Sequence, residues 1–575
     1  MEVVWNLNHL YTSKEEWEKS SLLLEETIKN LENIDILESK ETLVNFLRQL
    51  NDCYSLVERV YLYPKRLLDL DNTLIDAKEM MNHAIDLYNA YLKQENYYKK
   101  VLVQNKNRVL KLIPEDDYWY RYLYLILRKK DHIASDDIIS EYNKAIPDIR
   151  NRYQTLLNDK IKFDDILCDG KEIEVTRKNY SHLLESENQE DRYKAFASYM
   201  NGYGNYAEEI TNLYLEKIMH DIKLFQSEGY HSLIEKKLFE LEINPETLDN
   251  LIQSVNAHLD IMHDFIKIKK ERSGLNEFHT YDTYVASLGG TMRKLEYEES
   301  VNLVKEALKP LGSEYAKVID EMLLNGWIDV YPQEHKRLNP STAISFNGVP
   351  YILLNYVKNL NGARTLAHEA GHAIHTYFSA STNKVEYFEF DLFLTEIVSK
   401  VNEILFNEYL LSQASDEESK KEILSNIVGS LGNSLFNQTM TTEFEHQVIK
   451  KMEANENVDL EYLNNLYLEV MKKYNGESLT LDELNKYGWL LVTHLVWQES
   501  YYLYQYVTGL ALGTSIALKI MKDKSYVDKY LELLKVGRSK SIEDALKIVD
   551  VDINDKNYVM EALNYLNEKI KELKR

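Results

Sequence analysis

Along most of the chain, apolar residues recur three and four positions apart, the spacing of one face of a helix. Residues 43–62, 75–102 and 119–127 carry this pattern most clearly, and breaks are predicted near Pro64 and Pro114. Ser13-Lys14-Glu15-Glu16 reads as a capping box opening a helix through Leu22, Leu23, Leu24 and Ile28. The first 200 residues are read as mostly helical scaffold, with no nucleotide loop, nucleophile elbow or repeat. The less patterned residues 167–176 are expected to contain a turn, after which helices resume over 180–225. A further helical segment starts at Pro245 and ends near Gly274; residues 279–284 then interrupt the helices, and Gly289-Gly290 marks a flexible point.

The periodicity changes between Trp327 and Asn355. Ile328-Asp329-Val330-Tyr331, Ala343-Ile344-Ser345-Phe346 and Pro350-Tyr351-Ile352-Leu353-Leu354-Asn355 read as short strands, the last with a proline suited to a strand start or an edge. An edge strand there, around Tyr351, can pair with an extended peptide through main-chain hydrogen bonds. The fold class predicted is mainly α, with a small β-sheet beside one helix.

Composition agrees with this picture and narrows it. Only 8 prolines and 19 glycines in 575 residues favour helices over irregular loops. The net charge is −25, from 68 Lys and Arg against 93 Asp and Glu, and the acids are dispersed. That balance repels phosphate backbones and anionic lipid, so neither nucleic acid nor membrane is an expected partner. The two cysteines, Cys53 and Cys168, form no C-x-x-C pattern. No segment reads as a signal peptide or a membrane span, and a cytoplasmic monomer is expected.

The chemistry is concentrated in Asn361-Gly362-Ala363-Arg364-Thr365-Leu366-Ala367-His368-Glu369-Ala370-Gly371-His372. His368 and His372, four apart, share one face of a helix and can close on one metal ion, for which zinc (Zn) is the usual choice with nitrogen ligands. Glu369 is then placed to take a proton from the water at the open position. Asn361-Gly362 is read as a turn and cap, and Gly371 as a point of close packing. A third ligand is needed. Phe378 stands where a metzincin would place a histidine, which excludes that class; His375 is read as a contact behind the metal ligands or with substrate. Glu386, Glu389, Asp391, Glu396 and Glu403 are the carboxylates in reach by sequence. Periodicity puts Glu396, Ser399, Lys400 and Glu403 on one helical face, readable as a solvated face with a Glu396–Lys400 pair or as the wall of a metal cleft.

His368-Glu369-Ala370-Gly371-His372-Ala373-Ile374-His375 followed by the Glu396 segment resembles the thimet-type zinc oligopeptidases, and most of all their oligoendopeptidase F branch. Tyr281-Asp282-Thr283-Tyr284, Ile328-Asp329-Val330-Tyr331, residues 350–355 and Tyr502-Leu503-Tyr504-Gln505-Tyr506-Val507-Thr508-Gly509 are similar to that branch as well. The resemblance implies one Zn ion per chain with Glu396 as third ligand and Glu403 supporting a ligand histidine. It implies a helical ellipsoid with a deep central cleft admitting short oligopeptides, cut at internal bonds. It also implies a C-terminal His/Tyr set that stabilises the oxyanion, here His494, Tyr501 and Tyr504, with Tyr502 in reserve as a substrate contact. A scaffold domain over 1–200 and a catalytic domain over 201–575 are expected, although no linker marks the boundary. Two alternatives share the motif: a dipeptidyl carboxypeptidase-like exopeptidase, which needs a cationic anchor such as Arg337 or Lys336, and a peptide-binding protein without catalysis.

Overall fold

The computed structural model describes residues 3–168, 170–284, 294–346 and 348–575, so the flexible point expected at Gly289-Gly290 lies outside the described residues. Helices dominate, and the first two long ones begin where a hydroxyl side chain takes an orphan amide. Ser13 Oγ accepts from Glu16 N at 3.3 Å to open Lys14–Asn30, and Ser39 Oγ accepts from Thr42 N to open Lys40–Leu70. Pro64 does not break the second of these helices, contrary to expectation; it lies inside it. A helical proline leaves the carbonyl four residues earlier without its donor. Here the Trp17 indole takes over that role, donating to Val60 O at 2.8 Å. Pro114 does follow a helix end, that of Lys106–Leu112.

Five short strands complete the secondary structure of the described residues. β1 (Ile166–Cys168) and β2 (Lys171–Ile173) form an antiparallel hairpin in the stretch expected to turn, with Gly170 at φ +74°. β3 (Ile328–Asp329), β4 (Ser341–Thr342) and β5 (Ile352–Leu353) form a sheet ordered β3-β5-β4, in which β5 pairs parallel with β3 and antiparallel with β4. Two expectations are corrected. The strand placed at 343–346 sits two residues earlier, because the Phe346 amide is taken by the Glu58 carboxylate at 3.0 Å instead of by a neighbouring strand. The strand beginning at Pro350 is central and not an edge; the edge strand toward the metal motif is β4.

The chain forms two compact units, each assembled from three stretches: Met1–Asp131, Arg293–Leu410 and Ile516–Val551 in the first, His132–Met292, Leu411–Ser515 and Asp552–Arg575 in the second. Residue 200 falls within the helix Gln189–Gly204 of the second unit, so one cut there separates neither unit. In the first, the helices Lys40–Leu70 and Ile75–Gln104 pack together around Phe46, Leu47, Leu50 and Tyr98. That core is continuous with Tyr351 and Leu353 under the sheet. The N-terminal segment completes it: Asn6 N donates to Gly326 O, Val330 N to Val3 O, and Trp5 Nε1 to Ile352 O, at 2.8, 3.0 and 2.8 Å. In the second unit, Asp136–Thr155 packs on Ala207–Ser227, and Glu417–Gly432 on Asn557–Lys574. Among the described residues no helix is long and apolar enough to cross a membrane.

Candidate metal centre

The motif lies on the helix Leu360–Thr382 of the first unit. Its cap is Asn359, whose Oδ1 accepts from Gly362 N at 3.1 Å; Asn361-Gly362, the expected cap, forms the first turn. Gly362 is required there by space, since a Cβ would stand 1.9 Å from Val357 O.

A second helix, Leu392–Gln413, runs antiparallel beside it, as the partners show. Arg364 meets Asn407, Asn402 Nδ2 donates to Ala367 O at 3.0 Å, His368 meets Glu403, and His372 meets Thr395. Rising numbers on one helix match falling numbers on the other. Gly371 marks the closest approach: a Cβ there would lie 2.7 Å from Ser399 Cα and 2.9 Å from Ser399 N. The close packing read from a glycine inside a helix is thus a backbone contact between the two helices.

This pairing brings together His368, His372 and Glu396, with one donor atom from each lying within 4.8 Å of the others. The two Nε2 atoms are 3.0 Å apart, the ring planes meet at 87°, and His372 Nε2 stands 3.8 Å from Glu396 Oε1. Donors 2.0–2.2 Å from a tetrahedral ion stand about 3.4 Å apart, so the set fits zinc with small adjustments. The other ring nitrogens are already engaged. His368 Nδ1 donates to Glu403 Oε1 at 2.5 Å, and His372 Nδ1 lies 2.9 Å from the Thr395 hydroxyl. Each ring is therefore oriented with Nε2 toward the shared point.

Charge around the donors is graded by burial. Burial lowers the His372 pKa well below the ordinary histidine value, helped by the charge of His368. Burial also works against protonated His368, but the hydrogen bond and charge of Glu403 prevail and hold its pKa up. Burial raises the pKa of Glu396, 3% exposed, and His368 and Lys400 act in the opposite direction. Glu369 is raised by burial too, against His368, the Thr342 hydrogen bond and Arg337. The Thr342 hydroxyl of β4 donates to Glu369 Oε2 at 2.7 Å.

The remaining candidates fall away from this cluster for visible reasons. Glu386 accepts from Asn51 and Tyr118, Glu389 from Tyr54, and Arg538 pairs with Glu389 and Asp391. The Glu396 face is not solvated, since Glu396 and Glu403 are both buried. Lys400 pairs with Glu403 Oε1 at 2.7 Å, three residues on, rather than with Glu396 as its spacing suggested. His375 is 1% exposed and stacks on Phe390 at 3.8 Å, and burial lowers its pKa to about 3. It is a neutral core histidine and meets no substrate. Tyr351 is likewise enclosed, its hydroxyl donating to Asn6 O, so its side chain is not a substrate contact.

Tyr501 and Tyr504 are fully buried in the second unit, the first with its hydroxyl 3.0 Å from His446 Nδ1, the second 2.8 Å from the Thr247 hydroxyl. Neither phenol is available to an oxyanion. Tyr502 is half-buried, bonded to the Tyr506 hydroxyl at 2.9 Å, and the exposed His494 ring stacks beside it at 5.8 Å. Lys336 is buried against Asp329, which rules it out as an anchor, whereas Arg337 is partly exposed. Sequence reasoning missed Thr342, Thr395 and the true partner of Lys400. Only the last had a signal, a lysine three residues from a glutamate.

The family model for Peptidase family M3 matches residues 182–565. Oligopeptidase PepF of Bacillus subtilis is 30% identical over 583 residues, covering 100% of this chain and 87% of the relative. An oligoendopeptidase F homolog of Borreliella burgdorferi is 29% identical, covering 99% and 98%. Among solved structures, oligoendopeptidase-F from Enterococcus faecium superposes with a TM-score of 0.75 at 23% identity, over 97% of this chain and 98% of that one. A chain from Chlamydophila abortus described as a peptidase superposes at 0.87 and 23% identity, over 99% and 97%.

Proposed function

The chain belongs to peptidase family M3, and from that premise we propose that it is a zinc-dependent endopeptidase cleaving internal bonds of short oligopeptides. The observation that carries the site is the convergence of His368, His372 and Glu396 on one point, with Glu369 on the same helical turn. These three residues would hold one zinc ion per chain. When bound, zinc supplies Lewis-acid chemistry, polarising a carbonyl and acidifying water.

The chain's own groups do the rest. Thr342 holds Glu369 Oε2, which leaves Oε1 to take the proton of the attacking water and later return it to the leaving amine. Burial makes that carboxylate a stronger base than an exposed one. Glu403 holds His368 and Thr395 holds His372, so the rings are oriented in advance and only small adjustments of the donors remain. β4, as the edge strand, offers main-chain groups to an extended peptide whatever its sequence.

Glu369→Gln is expected to retain one zinc per chain by atomic emission while kcat falls by roughly 10²–10⁴-fold. Zinc retained together with wild-type turnover would remove Glu369 from the mechanism. Glu396→Ala should lose zinc on dialysis, and unchanged zinc content would return the third ligand to another carboxylate. Mass spectrometry of products from a peptide blocked at both ends, with and without chelator, distinguishes endopeptidase from exopeptidase and from a binding protein.

A further inference from the structure

Glu403 Oε1 serves two donors at once. His368 Nδ1 donates to it at 2.5 Å and Lys400 Nζ at 2.7 Å, so one carboxylate oxygen joins a candidate metal ligand to an ammonium group. Lys400 is held where it can do this. Its helix is pinned to the motif helix on either side of it, by Ser399 against Gly371 and by Asn402 Nδ2 on Ala367 O at 3.0 Å. The Lys400 and Glu403 side chains are 15% and 11% exposed, so little solvent screens the pair. Arg364, one turn before His368, is engaged elsewhere, donating from Nη1 to Asn361 Oδ1 at 3.1 Å, with Nε and Nη2 each 3.4 Å from Asn407 Oδ1. His372 is backed differently, its Nδ1 lying 2.9 Å from the neutral Thr395 hydroxyl.

We propose that Lys400 is a positioning residue that loosens the hold of the site on zinc: by sharing Glu403 Oε1, it limits the negative charge that this carboxylate passes to His368. This rests on the zinc peptidase reading of the same site. A carboxylate hydrogen-bonded to a ligand histidine makes the ring more basic and the metal more tightly bound. An ammonium on the same oxygen draws on the same electron density and offsets that gain. The carboxylate still orients the ring, because a carboxylate oxygen has a lone pair for each of the two donors. Less charge from His368 leaves the bound ion a stronger Lewis acid toward the scissile carbonyl. Lys400 thus exchanges binding strength for electrophilicity. A lysine that only braced Glu403 would act with the opposite sign: its removal would let the carboxylate turn away, and zinc would bind less tightly.

The test measures zinc affinity of the wild type, K400M, K400Q and K400R by chelator competition at pH 8, with thermal unfolding to confirm that each is folded. K400M and K400Q, which remove the charge, should bind zinc about tenfold more tightly than the wild type. K400R keeps the charge and should stay close to the wild type. On an E403Q background, itself weaker for zinc, K400M should no longer tighten binding. With zinc saturating, K400M should cleave a short peptide more slowly, through kcat. Zinc affinity unchanged or reduced in folded K400M and K400Q, tightening that persists on the E403Q background, or undiminished kcat in zinc-saturated K400M overturns the proposal. If the wild type takes up zinc but cuts no peptide, the peptidase reading fails, while the order of affinities still decides what Lys400 does to the metal. If it takes up no zinc, both fail.

Discussion

Glu445, 3% exposed within the second unit, accepts the Tyr501 amide at 3.1 Å in a setting that disfavours its charge. Burial pushes its pKa from 4.5 up to about 7, with Lys217 and the Tyr501 amide opposing and Asp221 adding to the rise. Between those two values the folded protein holds a proton that the unfolded chain has released. The resulting stabilisation is complete below the unfolded value and is lost as pH rises through the folded one; a gap of this size is worth about 3 kcal/mol. Glu445→Gln, which has no charge to bury, should match the wild type in thermal unfolding near pH 4.5 and unfold at higher temperature at pH 8. A difference independent of pH would show that Glu445 does not titrate in this way. Little of this was legible beforehand, because a glutamate in a helical pattern reads the same whether it faces water or protein. The same ambiguity hid the partner of Lys400 and left Glu396 level with four other carboxylates. His368, Glu369 and His372 were legible, since their spacing along one helix already sets their geometry.

At the level of elements, metal geometry depends on how closely two antiparallel helices approach. Leu360–Thr382 carries His368, Glu369 and His372, and Leu392–Gln413 carries Glu396 and Glu403. The Gly371–Ser399 contact sets their separation, and Asn402 ties it through Ala367 O while accepting the Tyr315 hydroxyl at 2.6 Å. Gly371→Ala places a methyl carbon against backbone that has no side chain to turn aside. We expect it to lower stability by about 1–3 kcal/mol despite the better helix propensity of alanine. It should also weaken zinc binding about tenfold or more, measured by chelator competition, because Glu396 moves away from the histidines. Wild-type zinc affinity in a folded Gly371→Ala protein would mean that this contact does not govern the site. The glycine announced close packing in the sequence; the helix against which it packs was not announced.

For the whole molecule, the two units are woven from six stretches of chain. Residues 1–131 cannot close their core without Tyr351 and Leu353, and Trp5, Asn6, Asn51 and Asp69 all bond to residues beyond 320. A fragment of residues 1–200 is therefore expected to lack a cooperative thermal transition and to show exposed amides in hydrogen exchange. A sharp transition in that fragment would restore the sequence-based division at residue 200. That division had no support in composition because interleaved units need no linker: two of the crossings between them, at Leu410–Leu411 and at Ser515–Ile516, lie inside continuous helices.

The sequence by itself determined the helical class and the placing of His368, Glu369 and His372 together on one helix, because these follow from periodicity and from spacing within one element. It also located the small sheet next to the motif, to within two residues. Only the tertiary structure decided which carboxylate lies beside the two histidines, which groups hydrogen-bond their rings, the identity of the edge strand and which tyrosines are enclosed. Each of those depends on which residues, far apart in sequence, share a burial environment. Periodicity specifies a face of a helix or strand, but what lies against that face is settled by packing.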